Sequence, residues 1–193
     1  FVDGGNQEFV QRAGLDRNGA LYKMNLGFST GTGQYKKMTR EYEPDTDLKD
    51  FFANMALTGD ERIRYIMDNV NIPAMVNYLT GLVAMGHGDC CGKNLYIYRD
   101  TEGSGEWQAL PYDVDSAFGR GGMPPFSTEL YYPTYAGIFA GRSDDTVLTK
   151  TLFDEVPGFR EMYLRRMRSV MDEIVQPPGT PEEELKFERR VDE

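Results

Sequence analysis

Asn94-Leu95-Tyr96-Ile97-Tyr98-Arg99, the turn Asp100-Thr101-Glu102-Gly103-Ser104-Gly105, and Glu106-Trp107-Gln108-Ala109-Leu110-Pro111-Tyr112 form the stretch whose reading decides the fold. Two runs of aromatic and aliphatic residues flank a turn containing Gly and Ser, which predicts an antiparallel β-hairpin. Antiparallel strands return the chain to where it set out, so Asn94 is expected roughly opposite Pro111. The residues just outside the two strands then become neighbours. On one side these are His87-Gly88-Asp89-Cys90-Cys91-Gly92-Lys93-Asn94, and on the other Tyr112-Asp113-Val114-Asp115-Ser116-Ala117-Phe118-Gly119. The hairpin therefore converges Asp89, Asn94, Asp113 and Asp115 on one patch. If the strand continues through Asp113 and Asp115, both carboxylates face the same way.

Working outward, the rest of the chain reads as helices around this hairpin. Gln7 to Ala13 is a short amphipathic stretch and Ala20 to Met24 a short strand. Ser29 to Gly33 is a loop; it lacks the spacing of a phosphate-cradling P-loop. Asp47 to Leu57 places Leu48, Phe51, Phe52 and Met55 at helical spacing, with Asp45, Thr46 or Asp47 as cap. Asp60 to Met67 continues with a second helix. Asn71-Ile72-Pro73 combines an Asn cap with Pro in the first turn, and the apolar run to Met85 predicts a central helix stopped by Gly86 and Gly88. Residues 119–145 read as a long loop, and loops of that length are often functional. Thr146 to Phe153 and Phe159 to Ile174 predict two more helices, the second ended by Pro177-Pro178. Its Met162, Met167 and Met171 are expected to fill the core. Residues 176–193 read as a charged tail appended to one domain over 1–175.

Composition bounds the function. With 31 acidic against 21 basic residues, the net charge is -10, which argues against non-specific nucleic-acid binding. It permits basic partners and chemistry that needs cations. No apolar run reaches the ~18 residues of a membrane span. The two cysteines, Cys90 and Cys91, are adjacent and cannot build a disulfide framework; free thiols are expected there. The chain starts at Phe1, with neither an initiator Met nor a signal peptide, which reads as a processed product or an excised piece.

The converging residues carry the chemistry. Two carboxylates on one face repel unless a cation or a proton lies between them. With the Asn94 amide oxygen the donor set is all oxygen, which suits Mg, Mn or Ca rather than zinc. His87-x-Asp89-x-x-x-x-Asn94 also has the spacing of a protein-kinase catalytic loop, where the Asp accepts the hydroxyl proton and the Asn holds a metal. A second acidic element follows after a hairpin, here Asp113-Val114-Asp115. Phosphoryl transfer needs aligned phosphates, metal and nucleophile, and little covalent help from the protein. His87, the only histidine, fits a role in orienting the loop better than one as a base.

These motifs resemble those of the spore-coat CotH kinase family. The likeness is carried by Asn77-Tyr78-Leu79, Gly88-Asp89, Lys93-Asn94-Leu95-Tyr96-Ile97-Tyr98-Arg99-Asp100, Trp107, and Leu110-Pro111-Tyr112-Asp113-Val114-Asp115-Ser116-Ala117-Phe118-Gly119. Flanking support comes from Phe9 to Leu15, Gly19 to Lys23, and Pro157 to Leu164. The resemblance implies an α+β, atypical protein-kinase-like fold that binds ATP with Mg or Mn. It implies that the chain is mainly the helical C-terminal lobe with the catalytic β-hairpin, the N-terminal lobe being largely absent. Members phosphorylate serines of spore-coat proteins, while fungal relatives act as surface invasins. By position the resemblance implies Asp89 as the catalytic residue, Asn94 and Asp113 as the metal pair, and Asp115 as a further metal ligand or a phosphate-site residue. Lys23 and Lys93 are candidates for nucleotide contact. Tyr112 stands where the family usually has Trp. The expected partner is a basic, Ser-rich protein substrate at an extracellular, cell or spore surface. Two other readings share the same residues: an adhesion module using Tyr131-Tyr132-Pro133-Thr134-Tyr135, and a structural calcium site at Asp113-Val114-Asp115.

Overall fold

The computed structural model describes residues 4–26, 34–87, 93–115, 117 and 147–187. Four strands, β1 (Ala20–Leu26), β2 (Gln34–Lys37), β3 (Leu95–Arg99) and β4 (Trp107–Pro111), form one sheet in the order β2-β1-β3-β4. Every pairing is antiparallel. Six α-helices accompany them among the described residues: α1 (Gln7–Arg12), α2 (Thr46–Met55), α3 (Gly59–Asn69), α4 (Ile72–Ala84), α5 (Val147–Asp154) and α6 (Phe159–Val170). The mixed helix and sheet composition agrees with the α+β expectation.

Side-chain alternation sorts the sheet into two faces. Ala20, Tyr22 and Met24 of β1, Leu95 and Ile97 of β3, and Trp107 and Ala109 of β4 join the main core with the apolar sides of α2 to α6. Leu21, Tyr96 and Tyr98 point the other way, where Val10 of α1 and the partly buried Phe9, Leu15, Leu110 and Tyr112 cover them. β3 is thus buried on both faces, which is why Leu95 to Tyr98 reads as an unbroken apolar run.

The hairpin forms where expected. Its turn is closed by Asp100, whose carboxylate accepts from Ser104 N–H at 2.7 Å and whose carbonyl accepts from Gly105 N–H at 2.8 Å. Gly105 takes φ +78°, a conformation glycine adopts without steric cost. Asn71 caps α4 through its side-chain oxygen, which accepts from Ala74 N–H at 2.9 Å. The same residue fastens the helix to the hairpin: its N–H donates to the Trp107 carbonyl at 2.9 Å and its amide to Glu106 at 3.1 Å.

The turn end of the sheet is held by Arg40. Its guanidinium donates to both carboxylate oxygens of Glu43 (2.7 and 2.6 Å), to the Asn18 carbonyl (2.7 Å) and to Glu102 in the hairpin turn (2.9 Å). Beside it, Thr39 Oγ1 accepts from Leu21 N–H and donates to the Gly19 carbonyl. On the core side, Tyr22 and Tyr35 each donate a 2.5 Å hydrogen bond, to Asp47 and Asp45 at the start of α2.

Three expectations are corrected. β2 is a strand that the sequence reading did not assign; Gln34-Tyr35-Lys36-Lys37 is short and polar, and its pairing with β1 supplies what its composition does not. The strand does not run on through Asp113 and Asp115, because β4 ends at Pro111 and Asp113 adopts φ +53°. The methionines of the last helix do not all fill the core. Phe159 and Tyr163 are buried and Met167 packs against the core, but Met162 and Met171 are 38% and 54% exposed. From Met171 to Val175 the helix widens into a π-helical turn, closed by Gln176 N–H on the Met171 carbonyl at 2.8 Å. The change in residues per turn rotates later side chains off the 3.6-residue face. The long loop over 119–145, with its aromatic segment, lies outside the described residues.

Candidate active site

The described candidate residues lie at or near the open end of the hairpin, opposite its turn. The pairing register puts Leu95 opposite Pro111, one residue from the expected alignment. Asn94 therefore faces Tyr112, whose N–H donates to the Asn94 carbonyl at 3.1 Å. Asp113 follows directly. Asn94 and Asp113 both take left-handed backbone conformations, at φ +57° and +53°. Such a conformation costs an ordinary L-residue roughly 1–2 kcal/mol, and Asn and Asp tolerate it best. Two such residues side by side, where the strands stop, mark backbone held off its regular path. The regular pairing ends here, with β4 stopping at Pro111. Asn94 and Asp113 are half-buried, while Val114 and Asp115 are exposed.

Lys23 reaches this end from β1. Its register partner on β3 is Tyr96, and its ammonium lies 4.1 Å from the centre of the Tyr112 ring. Tyr112 in turn meets Tyr96 edge-on, with centroids 4.9 Å apart. A lysine so placed gains about 0.5–2 kcal/mol from the ring face, depending on its desolvation. It is also set beside the residue that precedes Asp113. Across the sheet its other register partner is Lys36. Lys93 is exposed next to Asn94.

The structure thus brings together Asn94, Asp113 and, through Tyr112, Lys23. Asp115 and Lys93 lie two residues and one residue along the chain from this group, respectively. Asp89 and the two cysteines lie outside the described residues. His87, fully buried, closes the end of α4 through its N–H on the Leu82 carbonyl at 3.0 Å. The contact of Tyr112 with Lys23 was not anticipated as a pair, although the aromatic character of Tyr112 and the strand position of Lys23 were both visible.

Two surface hollows border other parts of the sheet. One, of about 370 Å³, is lined by Gln7, Arg17, Thr39 and Arg40; the other, of about 200 Å³, by Asp16, Tyr98, Asp100 and Glu106. Both lie toward the turn end, and neither is lined by a predicted site residue. Among the described residues no three His, Cys, Asp or Glu side chains gather as a metal site. Asn94, Asp113 and Asp115, the candidates near the open end, carry side-chain oxygens of the type a hard divalent cation takes.

A family model described as CotH kinase protein matches residues 2–180 of the 193-residue chain. The chain belongs to the CotH kinase family. The match spans the hairpin, its open end and the helices beneath, so the kinase-like reading rests on the whole domain rather than on one motif. No curated protein matches the CotH-family chain in sequence. No helix among its described residues is long and apolar enough to cross a membrane.

Proposed function

We propose that this CotH-family protein is a metal-dependent protein kinase that transfers the γ-phosphoryl group of ATP to serine hydroxyls of a protein substrate. The observation that carries this reading is the Tyr112–Asn94 hydrogen bond at the open end of the hairpin, which brings Asn94 next to the residue before Asp113, within a chain of kinase-family membership. Asp89 is the proposed proton acceptor. As the serine oxygen bonds to the γ-phosphorus, the bond to the β–γ bridging oxygen breaks, ADP leaves, and the hydroxyl proton passes to the Asp89 carboxylate. Asn94 and Asp113 are the proposed holders of Mg or Mn, with Asp115 as a further ligand. The cation, when bound, would neutralise charge on the phosphates. Lys23, steered by the Tyr112 ring, and Lys93 are the proposed phosphate contacts.

The net charge of -10 favours a basic, Ser-rich substrate segment by simple attraction. Family membership favours a location at a cell or spore surface. The test is transfer of labelled phosphate from ATP, with Mg or Mn, to a basic Ser-rich peptide. Purified protein is expected to label the peptide, and Asp89→Ala and Asp113→Ala to lose at least ~100-fold of that activity. Labelling that is absent with either metal, or undiminished in both variants, refutes the proposal.

A further inference from the structure

The outward side of α6 and its π-helical extension is unusual for a surface helix. Phe159 and Tyr163 are buried, yet Leu164, Met171, Ile174 and Val175 are 58, 54, 41 and 45% exposed. Leu164 and Met171 are two turns apart, and Val175 lies about one turn further on, so they form one row beside the buried face. Single exposed apolar residues are ordinary, but a row of three with Ile174 exposed beside it is a mark of an interaction surface.

Charge along the same stretch is segregated. From Arg160 to Arg168 there are four arginines against one acid, Glu161. From Asp172 to Glu184 there are five carboxylates and no basic residue. The acidic part stays beside the helix end. Gln176 donates to the Glu184 carbonyl at 2.9 Å and accepts from Lys186 N–H at 2.7 Å, which folds Glu182–Glu184 back onto it. Within one chain the two halves touch at an exposed Arg168–Asp172 pair of 2.6 Å.

We infer that this face docks on the same face of a second copy of the chain, antiparallel and about a two-fold axis. A two-fold contact requires a surface that is its own complement. Antiparallel pairing meets that requirement twice, laying the arginine half of each copy over the acidic half of the other while the apolar rows meet between them. Arg165 and Asp172 are seven residues apart, one position after Leu164 and Met171, and so flank the row on a common side. The antiparallel arrangement sets Arg165 opposite Asp172 of the partner subunit. Parallel pairing would oppose like charges, and an anionic membrane would repel the acidic half.

The test is sedimentation velocity of the full chain at about 1–100 μM, in low salt and in about 0.5 M salt. A dimer that weakens with salt is expected; a monomer throughout overturns the inference. Leu164→Asp should raise the dissociation constant about 100-fold without changing the circular dichroism spectrum. Arg165→Asp and Asp172→Arg should each weaken self-association about 10-fold, since each opposes like charges twice in a homodimer. An equimolar mixture of those two variants should dimerise as well as the original chain. Failure of the mixture to recover dimer overturns the antiparallel arrangement, and unchanged association in Leu164→Asp overturns the surface itself.

Discussion

The two ends of the sheet carry the same backbone strain and treat it differently. At the turn end Arg40 sits at φ +52°, and four polar contacts to Glu43, Asn18 and Glu102 pin its side chain. At the open end Asn94 and Asp113 sit at φ +57° and +53°, and the backbone is joined there by one Tyr112–Asn94 hydrogen bond among those described between the two segments. One end uses left-handed backbone to build a clasp. The other uses it at two oxygen-bearing residues where the strands have stopped. The four-contact clasp around Arg40 thus lies at the end of the sheet opposite the proposed chemistry.

The largest effect that can break this comparison is on activity. Asp113→Ala is expected to reduce phosphoryl transfer at least ~100-fold, while Arg40→Ala leaves the rate per folded molecule within about twofold. A rate loss in Arg40→Ala matching that in Asp113→Ala would mean that the two ends are not separable. Next comes stability at the clasp. Arg40→Ala should lower the melting temperature by about 2–5 °C, because several loops lose a common anchor. Calorimetry that finds no shift would reduce the clasp to a solvated surface pair.

A smaller effect sharpens the open end. Asp113→Gly and Asp113→Ala remove the same carboxylate, but only glycine takes positive φ without strain. The glycine variant should therefore be more stable than the alanine variant by about 1 kcal/mol in denaturant titration, with both inactive. Equal stabilities would show that position 113 relaxes to ordinary backbone once its side chain is gone.

The smallest effects are in pH dependence. Hydrogen bonding to Arg40 holds the Glu43 carboxyl below its ordinary value, and bonds from Lys49 and Tyr35 do the same for Asp45. Groups lowered in the folded state stabilise it above their unfolded pKa, and that contribution is lost as pH falls through the folded value. Both carboxyls are half-buried at the protein surface and screened by solvent, so the loss is modest. Melting curves taken downward from neutral pH should show a shallower acid decline in Arg40→Ala than in the original chain. On the alkaline side, burial and the bond to Asp45 push Tyr35 up to about 12, and burial does the same for Tyr98. Their contribution is complete below about pH 10 and is lost as pH rises toward 12. Absorbance titration of the folded protein should show these phenols ionising late.

Much of this arrangement was legible in the sequence, because hairpins and caps are local. Asn71, Pro73 and the apolar run after them specify α4, and two short β-rich segments around Asp100 to Gly105 specify β3 and β4. The convergence of Asn94 with Asp113 follows from antiparallel geometry alone. What was not legible depends on partners distant in sequence or on backbone geometry. A one-residue register difference decides that Asn94 meets Tyr112. Nothing in Asp-Val-Asp announces a left-handed Asp113. Arg40 gains its meaning from Glu102, 62 residues away. Met162 and Met171 are exposed because they fall to the sides of the face that Phe159, Tyr163 and Met167 turn to the core, and which side of an apolar helix meets the core is set by its packing partners.

Trp107 is the only tryptophan in the chain, and it is almost fully buried. Its ring lies 4.9 Å from that of Phe51, under the Arg99 guanidinium, while its carbonyl receives the Asn71 N–H that ties β4 to α4. The chain therefore carries its own optical gauge. One emission band samples the joint between hairpin and helix, so its shift on denaturation reports the assembly of the element that carries Asp113, with no label attached.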